Sequence, residues 1–164
     1  MDLGDGVIVR LPGEGACVPR PNGGTAICKG NGTETNGTFG LLEFTAPTAT
    51  APGQPRLGVR AHRHAGEDEA WYILEGELIF TIGERTVHAP AGTFLFAPRG
   101  VLHATVNPKV QPARYLAWFT PSGMEGYFAE HAALIEAADG NPEPAQMDAL
   151  RIRYGMEFAD EPPL

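Results

Sequence analysis

Seven short runs of β-prone residues between positions 57 and 120, each bounded by turn residues, place the strongest limit on the fold of this chain. The runs are 57–64, 69–75, 77–82, 85–89, 93–97, 102–107 and 113–120. Runs spaced roughly 8–12 residues apart are typical of an antiparallel sandwich or barrel. The 21 glycines and 15 prolines among 164 residues supply the turns that such a fold needs. We therefore predict an all-β antiparallel barrel.

The first third of the chain predicts shorter strands and one long loop. Residues 7–11 and 25–29 are β-prone, and the run 38–45 leads into the barrel. The stretch 46–55 carries three prolines and no periodicity, which predicts a long surface loop. Because 164 residues suffice for one domain, we expect a single domain, with a barrel core over about 38–120 and a helix and tail over 122–164.

One helix is predicted after the barrel. Ser122 and Glu125 have the spacing of a capping box, with Ser122 as the N-cap. Apolar residues then recur at helical spacing until Gly140 and Pro142 end the helix. A short helical turn at 146–151 and an apolar tail at 154–158, expected to dock on the barrel, complete the chain before Pro162-Pro163-Leu164.

The charge balance limits the partners. With 12 basic and 20 acidic residues the formal charge is −8, which argues against a nucleic-acid backbone or an anionic membrane surface as partner. The acidic start lacks the features of a secretory signal, and no run approaches the ~18 apolar residues of a membrane helix. Cys17 and Cys28 are expected to be unpaired core thiols. We expect a cytoplasmic protein.

Three of the five histidines and one glutamate form a candidate metal site. His62 and His64 alternate along one predicted strand, so both imidazoles project from the same face. Glu69 opens the next strand after a turn-prone tetrapeptide, and His103 follows the turn 98–100. Three imidazoles and a carboxylate suit a first-row divalent metal with open positions for water or substrate. His88 is interpreted as a surface or satisfied core residue, and the remaining histidine, His131, as a hydrogen-bonded packing residue on the helix.

The spacing of these residues resembles the two motifs of the cupin superfamily. The first motif is matched by His62-x-His64, four residues, Glu69, six residues, Gly76. The second is matched by Gly92, five residues, Pro98, one residue, Gly100, two residues, His103, three residues, Asn107. The resemblance implies a small jelly-roll β-barrel with His62, His64, Glu69 and His103 as metal ligands. It also implies a homodimer formed through N-terminal strands. One difference is Arg56, where the family often has a turn glycine.

A narrower resemblance concerns residues 121–128 and the tail Pro162-Pro163-Leu164. Both look like the single-domain bacterial cupins grouped with quercetin 2,3-dioxygenases. That resemblance implies Fe, Mn, Ni or Co as cofactor, with Zn as a further candidate, and opening of a flavonol-type ring with O₂. In that group the glutamate ligand can also accept the hydroxyl proton of the substrate, a catalytic role that would fall to Glu69.

Strand parity extends the candidate site to substrate-binding residues. Arg60 shares the face of His62 and His64, where its guanidinium would favour an anionic or enolate oxygen. From Glu69, parity places Trp71 and Ile73 inward and Tyr72 outward. An aromatic-lined cavity beside a metal suits a flat, apolar small molecule. Packing in the core explains Trp71 equally well, and a charged residue at the barrel mouth explains Arg60.

Three functions fit these residues. The first is a metal-dependent oxygenase acting on an aromatic or enol-type small molecule with O₂. The second is a non-oxidative metal enzyme, such as a polyketide cyclase, isomerase or decarboxylase, in which the metal is a Lewis acid. The third is a non-catalytic cupin that binds a small molecule. Fold alone does not separate them.

Overall fold

The structure, a computed structural model, describes residues 6–20, 24–46 and 58–159. Most of the predicted loop 46–55 and the tail 162–164 lie outside these residues. The described part contains eleven strands and two helices. The elements are β1 (Ala16–Pro19), β2 (Thr25–Gly30), β3 (Gly40–Ala46), β4 (Gly58–His64), β5 (Asp68–Glu75), β6 (Glu77–Ile82), β7 (Arg85–Pro90), β8 (Phe94–Ala97), β9 (His103–Val106), β10 (Ala113–Thr120), α1 (Met124–Ala137), α2 (Pro144–Arg153) and β11 (Met156–Phe158).

The strands form two antiparallel sheets. One sheet has the order β1-β2-β3-β10-β5-β8, and the other has the order β11-β4-β9-β6-β7. Alternation along β5 buries Trp71 and Ile73 and leaves Tyr72 39% exposed, as strand parity predicts. Side chains such as Ile73 of one sheet and Phe80 of the other form the apolar core. The predicted all-β jelly-roll fold with a C-terminal helix is confirmed.

The N-terminal strand lies later in the chain than predicted. All seven runs between 57 and 120 are strands, but the run 7–11 contains only an isolated bridge at Ile8. The side chains of Val7 and Leu11 are about half exposed, so this run does not pack into the core. The strand is instead β1, which pairs with β2 in the register Cys17↔Ile27.

The start of α1 also differs from the prediction. The N-cap is Gly123, whose φ of 147° favours glycine, and Ser122 does not cap the helix. The carboxylate of Glu125 accepts hydrogen bonds from the backbone N–H of Gly123 (2.9 Å) and of Gly32 (2.7 Å). Glu125 therefore ties the helix start to the β2–β3 connection. The second helix, α2, spans ten residues, longer than the predicted turn.

The C-terminal tail and the two cysteines follow the predictions, except for the exposure of Cys17. The apolar tail does dock, as β11 paired with β4. Both cysteines are free thiols, as predicted, but Cys17 is exposed because β1 is the outermost strand of its sheet. Neither helix in the described part of the chain is long and apolar enough to cross a membrane.

Candidate metal centre

Two histidines on β4 form one wall of the site. His62 and His64 are 5% and 2% exposed, whereas Arg63 between them points outward and pairs with Glu157. This follows from the two-residue period of a strand. The ring centroids of the two histidines lie 5.0 Å apart, so both imidazoles face one small volume.

Strands β5 and β9 supply the other two side chains. His103 lies directly opposite His62 in the β4–β9 register, with ring centroids 4.4 Å apart. The Glu69 Oε2 atom lies 3.0 Å from Nε2 of His64 and 3.0 Å from Nε2 of His103. One candidate ligand atom from each of His62, His64, Glu69 and His103 lies within 4.8 Å of the others, and all four residues are buried. The structure thus brings together the four predicted residues.

Backbone contacts fix the tautomers of two histidines. His62 Nδ1 lies 2.8 Å from the carbonyl oxygen of Arg60, and His103 Nδ1 lies 2.9 Å from that of Val101. Because a carbonyl oxygen only accepts, each Nδ1 carries a proton and donates it. Neutral His62 and His103 therefore present the lone pair of Nε2 to the cluster, the arrangement that metal-binding histidines need.

Burial and mutual contact shift the pKa values in the cluster. Burial, reinforced by His103, lowers the pKa of His62 to about 3. Burial alone would raise the pKa of Glu69, but the His103 and His64 imidazoles outweigh it and lower it to about 2. Burial lowers the pKa of His103, but contact with the Glu69 carboxylate outweighs it and raises the pKa. Glu69 is therefore an anion at neutral pH.

The donor set fits a divalent metal. Within the described residues, Nδ1 of His64 and Nε2 of His103 are buried without a hydrogen-bond partner. A neutral His103 directs its Nε2 lone pair at a carboxylate oxygen 3.0 Å away, which is repulsive unless a cation lies between them. Either a proton or a metal can be that cation. Three imidazoles and one carboxylate are ligands that Fe, Mn, Co, Ni and Zn all accept.

Outside the cluster, an ion pair connects the chain segments next to two of the candidate ligands. Asp68 Oδ1 accepts hydrogen bonds from the backbone N–H (2.8 Å) and Nε (3.0 Å) of Arg99, while Oδ2 accepts one from Nη2 (3.0 Å). These bonds lower the pKa of Asp68 to about 2. Next to Arg99, the N–H of Gly100 donates to the carbonyl oxygen of His64 at 2.8 Å. The turn before His103 is thereby attached to the strands that carry His64 and Glu69.

Replacing Asp68 by alanine is expected to weaken metal binding by up to about tenfold, because the segments next to Glu69 and His103 lose their mutual attachment. Affinity would be measured by competition with a chromophoric chelator. Glu157→Ala is the matched control, since it removes an arginine–carboxylate pair on the outer face of β4 and β11. Equal affinity in the Asp68 variant and the control would contradict the prediction.

The cluster opens into a cavity of about 170 Å³ between the sheets and the C-terminal elements. Trp71 lines it, 3% exposed, with its ring 5.1 Å from that of His103. Arg60 lies at the cavity surface and is exposed, with its guanidinium over Phe158 and donating to the Ala159 carbonyl oxygen at 3.3 Å. The register between β4 and β9 shifts between Val59 and His62, so strict parity does not extend through Arg60. Phe94 and Phe96 lie outside, 64% and 50% exposed.

Several cavity residues were not identified as site residues from the sequence. Phe158 of β11 stacks on His62 at 5.3 Å, whereas the sequence indicated only that the tail docks. His131 lines the cavity and stacks on Tyr127, a position that its place on the apolar helix stripe could have suggested. The other lining residues from outside the two motifs include Arg20, Phe44, Tyr115, Phe119, Phe128 and Arg151.

The two facing sheets and the buried cluster of three histidines and one glutamate define a jelly-roll protein with a candidate metal centre. Residues 49–119, less than half of the 164 residues, match the family model described as Cupin domain. The predicted resemblance to the cupin superfamily is thereby confirmed. No match was found among curated proteins.

Solved structures agree with the fold. An RmlC-like cupin from Shewanella frigidimarina is 16% identical, with a TM-score of 0.57 over 71% of this chain and 93% of that one. A predicted oxalate decarboxylase from Thermotoga maritima is 22% identical, with a TM-score of 0.57 over 70% of this chain and 99% of that one. The structure of Fe(II) HppE is 25% identical, with a TM-score of 0.54 over 72% of this chain and 62% of that one.

Proposed function

We propose that this protein is a metal-dependent oxygenase, resembling quercetin 2,3-dioxygenases, that acts on an aromatic or enol-type small molecule. One observation carries the proposal. The buried cluster of three imidazoles and an ionised carboxylate opens directly into a cavity walled by aromatic rings. A flat ring fits between such walls, and the ligand set leaves coordination positions for small molecules.

His62, His64, His103 and Glu69 would hold the metal. When bound, a redox-active metal at such a site supplies O₂ activation and Lewis acidity. Iron is favoured among the candidates, because the HppE structure with 25% identity is described as an Fe(II) protein. The fixed Nδ1 protons of His62 and His103 keep these two imidazoles in the tautomer that can ligate.

The other residues bind and position the substrate. Glu69 is ionised and would accept the proton of a substrate hydroxyl group at one of its oxygens. Trp71 would pack against the substrate ring beside His103. Arg60, at the cavity surface, would stabilise an anionic substrate oxygen as it enters. The surrounding rings exclude water from the ligand cluster.

An oxygen-electrode screen of flavonols and other enol-type aromatics with the iron-loaded protein tests this function. We expect O₂ uptake that stops when a chelator removes the iron. Metal-dependent turnover in the absence of O₂ would instead support the non-oxidative enzymes, a cyclase, isomerase or decarboxylase. Binding without turnover under either condition would support the non-catalytic cupin.

Acidification from about pH 8 to about pH 5 is expected to lower metal occupancy. Because Glu69 raises the pKa of His103, a proton competes with the metal for Nε2 of His103 as the pH falls. His62, with a pKa lowered to about 3, and Glu69, with a pKa lowered to about 2, keep their ligating forms over this range. Elemental analysis after equilibrium dialysis, with circular dichroism as a folding control, measures the effect. Equal occupancy at both pH values with the fold intact would be the contrary result.

A further inference from the structure

A group of basic side chains lines the part of the cavity formed outside the two cupin motifs. Arg20 follows β1, His131 belongs to α1, and Arg151 belongs to α2. The Arg20 guanidinium carbon lies 5.2 Å and 5.3 Å from the ring centroids of Phe44 and Phe128. Arg20 forms no ion pair with any residue that the structure describes.

Arg151 and His131 extend this basic group. Nη1 of Arg151 pairs with Asp148 at 2.8 Å, and its guanidinium lies 4.6 Å from the ring centroid of Phe158. Its Nε is buried and, within the described residues, has no hydrogen-bond partner. Burial, together with Arg20 and Arg151, lowers the pKa of His131 to about 4. These three side chains therefore present N–H donors in a positive field.

In the described lining of the cavity, arginines outnumber acids. Among the described residues that line the cavity, the arginines are Arg20, Arg60 and Arg151, and the one acid is Glu69, which belongs to the metal cluster. Planar guanidinium groups suit a carboxylate, which accepts two parallel hydrogen bonds.

Aromatic rings connect the basic group with the metal cluster. The ring of Phe119 lies 5.7 Å from His64 and 6.1 Å from Phe128, and Phe128 lies under the Arg20 guanidinium. A flat molecule lying along these rings would have one end at the metal ligands and the other at the arginines.

From these contacts we infer that the cavity binds a planar aromatic or enol-type acid, whose carboxylate lies among Arg20, His131 and Arg151. The part of the inference that places the other end of the substrate at a metal rests on the proposed function. The carboxylate site itself rests on Arg20, Arg151 and His131.

Calorimetric titration of the metal-loaded protein with benzoate and with benzamide, its neutral analogue, tests this site. We expect benzoate to bind at least about tenfold more tightly than benzamide, because hydrogen bonds to a charged carboxylate are stronger than hydrogen bonds to a neutral amide. Arg20→Gln should weaken benzoate binding by at least about tenfold and leave both benzamide binding and metal content unchanged. Arg151→Gln should also weaken benzoate binding. Arg85→Gln, on exposed β7, is the matched control and should change nothing.

A second measurement in the Arg20→Gln variant does not depend on the probe. Removing the positive charge favours the imidazolium form, so the pKa of His131, measured by NMR, should rise. Benzoate binding that is unchanged in both arginine variants, or benzamide binding as tight as benzoate binding in the wild type, would overturn the carboxylate site. Repeating the titration after chelation separates the two proposals: a benzoate preference that survives metal removal and still requires Arg20 supports the carboxylate site even if no O₂ uptake is found.

Discussion

The variant with both His62 and His64 replaced by alanine is expected to retain less than about a tenth of the metal bound by the wild type. Two of the four candidate ligands disappear, and both lie on the same face of β4. The remaining pair, Glu69 and His103, cannot fill a coordination shell by themselves, and each lost ligand removes a large share of the binding free energy. Elemental analysis of protein purified without an affinity tag measures the loss.

His88→Ala is the control for this experiment. His88 is exposed on β7 and belongs to neither the cluster nor the cavity lining. The His88→Ala substitution should leave the metal content at about one ion per chain. Since the double variant also empties part of the interior, its circular dichroism spectrum must match that of the wild type. Unchanged metal content in a folded double variant would contradict the assignment of the site.

Glu69→Gln is expected to depress turnover by roughly 10²–10⁴-fold even when metal is fully loaded, the usual contribution of a positioned base. Glutamine keeps the shape and an oxygen donor, but it removes the charge and nearly all the basicity. The imidazoles of His64 and His103 keep Glu69 ionised, so the wild-type carboxylate is in the form that can accept a proton. No other carboxylate among the described cavity residues could replace it.

Two readouts separate the roles of Glu69 as base and as ligand. Metal content is measured first, and turnover is then compared at saturating metal. Glu84→Gln, in the exposed turn between β6 and β7, is the matched control and should behave as the wild type. Recovery of full turnover by metal-saturated Glu69→Gln would mean that Glu69 serves only as a ligand.

The candidate metal cluster could be predicted from the sequence because its geometry is mostly local. The alternation of a strand places His62 and His64 on one face whatever the rest of the chain does. The short turn after β4 then leads into the other sheet, where Glu69 on β5 lies at the same end of the barrel as the two histidines. Only His103 requires a long-range pairing, β4 with β9, and the spacing of the second motif supplied that position through the cupin resemblance.

The basic group could not be predicted in the same way, because its members come from three distant segments. Arg20, His131 and Arg151 come together only when α1 and α2 pack on the sheets. No periodicity in the sequence predicts that packing. A lone arginine in a turn-rich segment looks like any surface charge. Tertiary context likewise decided the N-terminus, where pairing with β2 produced β1 and left the β-prone run 7–11 exposed.

Arg60 illustrates a limit of strand parity. Counting by twos back from His62 places Arg60 on the inward face, but the register shift between Val59 and His62 breaks the alternation. The side chain lies at the cavity surface, where Ala159 and Phe158 of the C-terminal segment contact it. Its proposed contact with an anionic substrate oxygen is therefore one made at the entrance.

The division of the cavity between two sets of elements has an evolutionary consequence. The four candidate ligands lie within residues 49–119, the stretch that matches the cupin family, whereas Arg20, His131, Arg151 and Phe158 all lie outside it. Mutations in the flanking segments can therefore remodel what the cavity accepts while the candidate ligand cluster stays intact. Duplicated copies of such a gene could therefore diverge in what the cavity binds through those segments alone, with the ligand cluster unchanged.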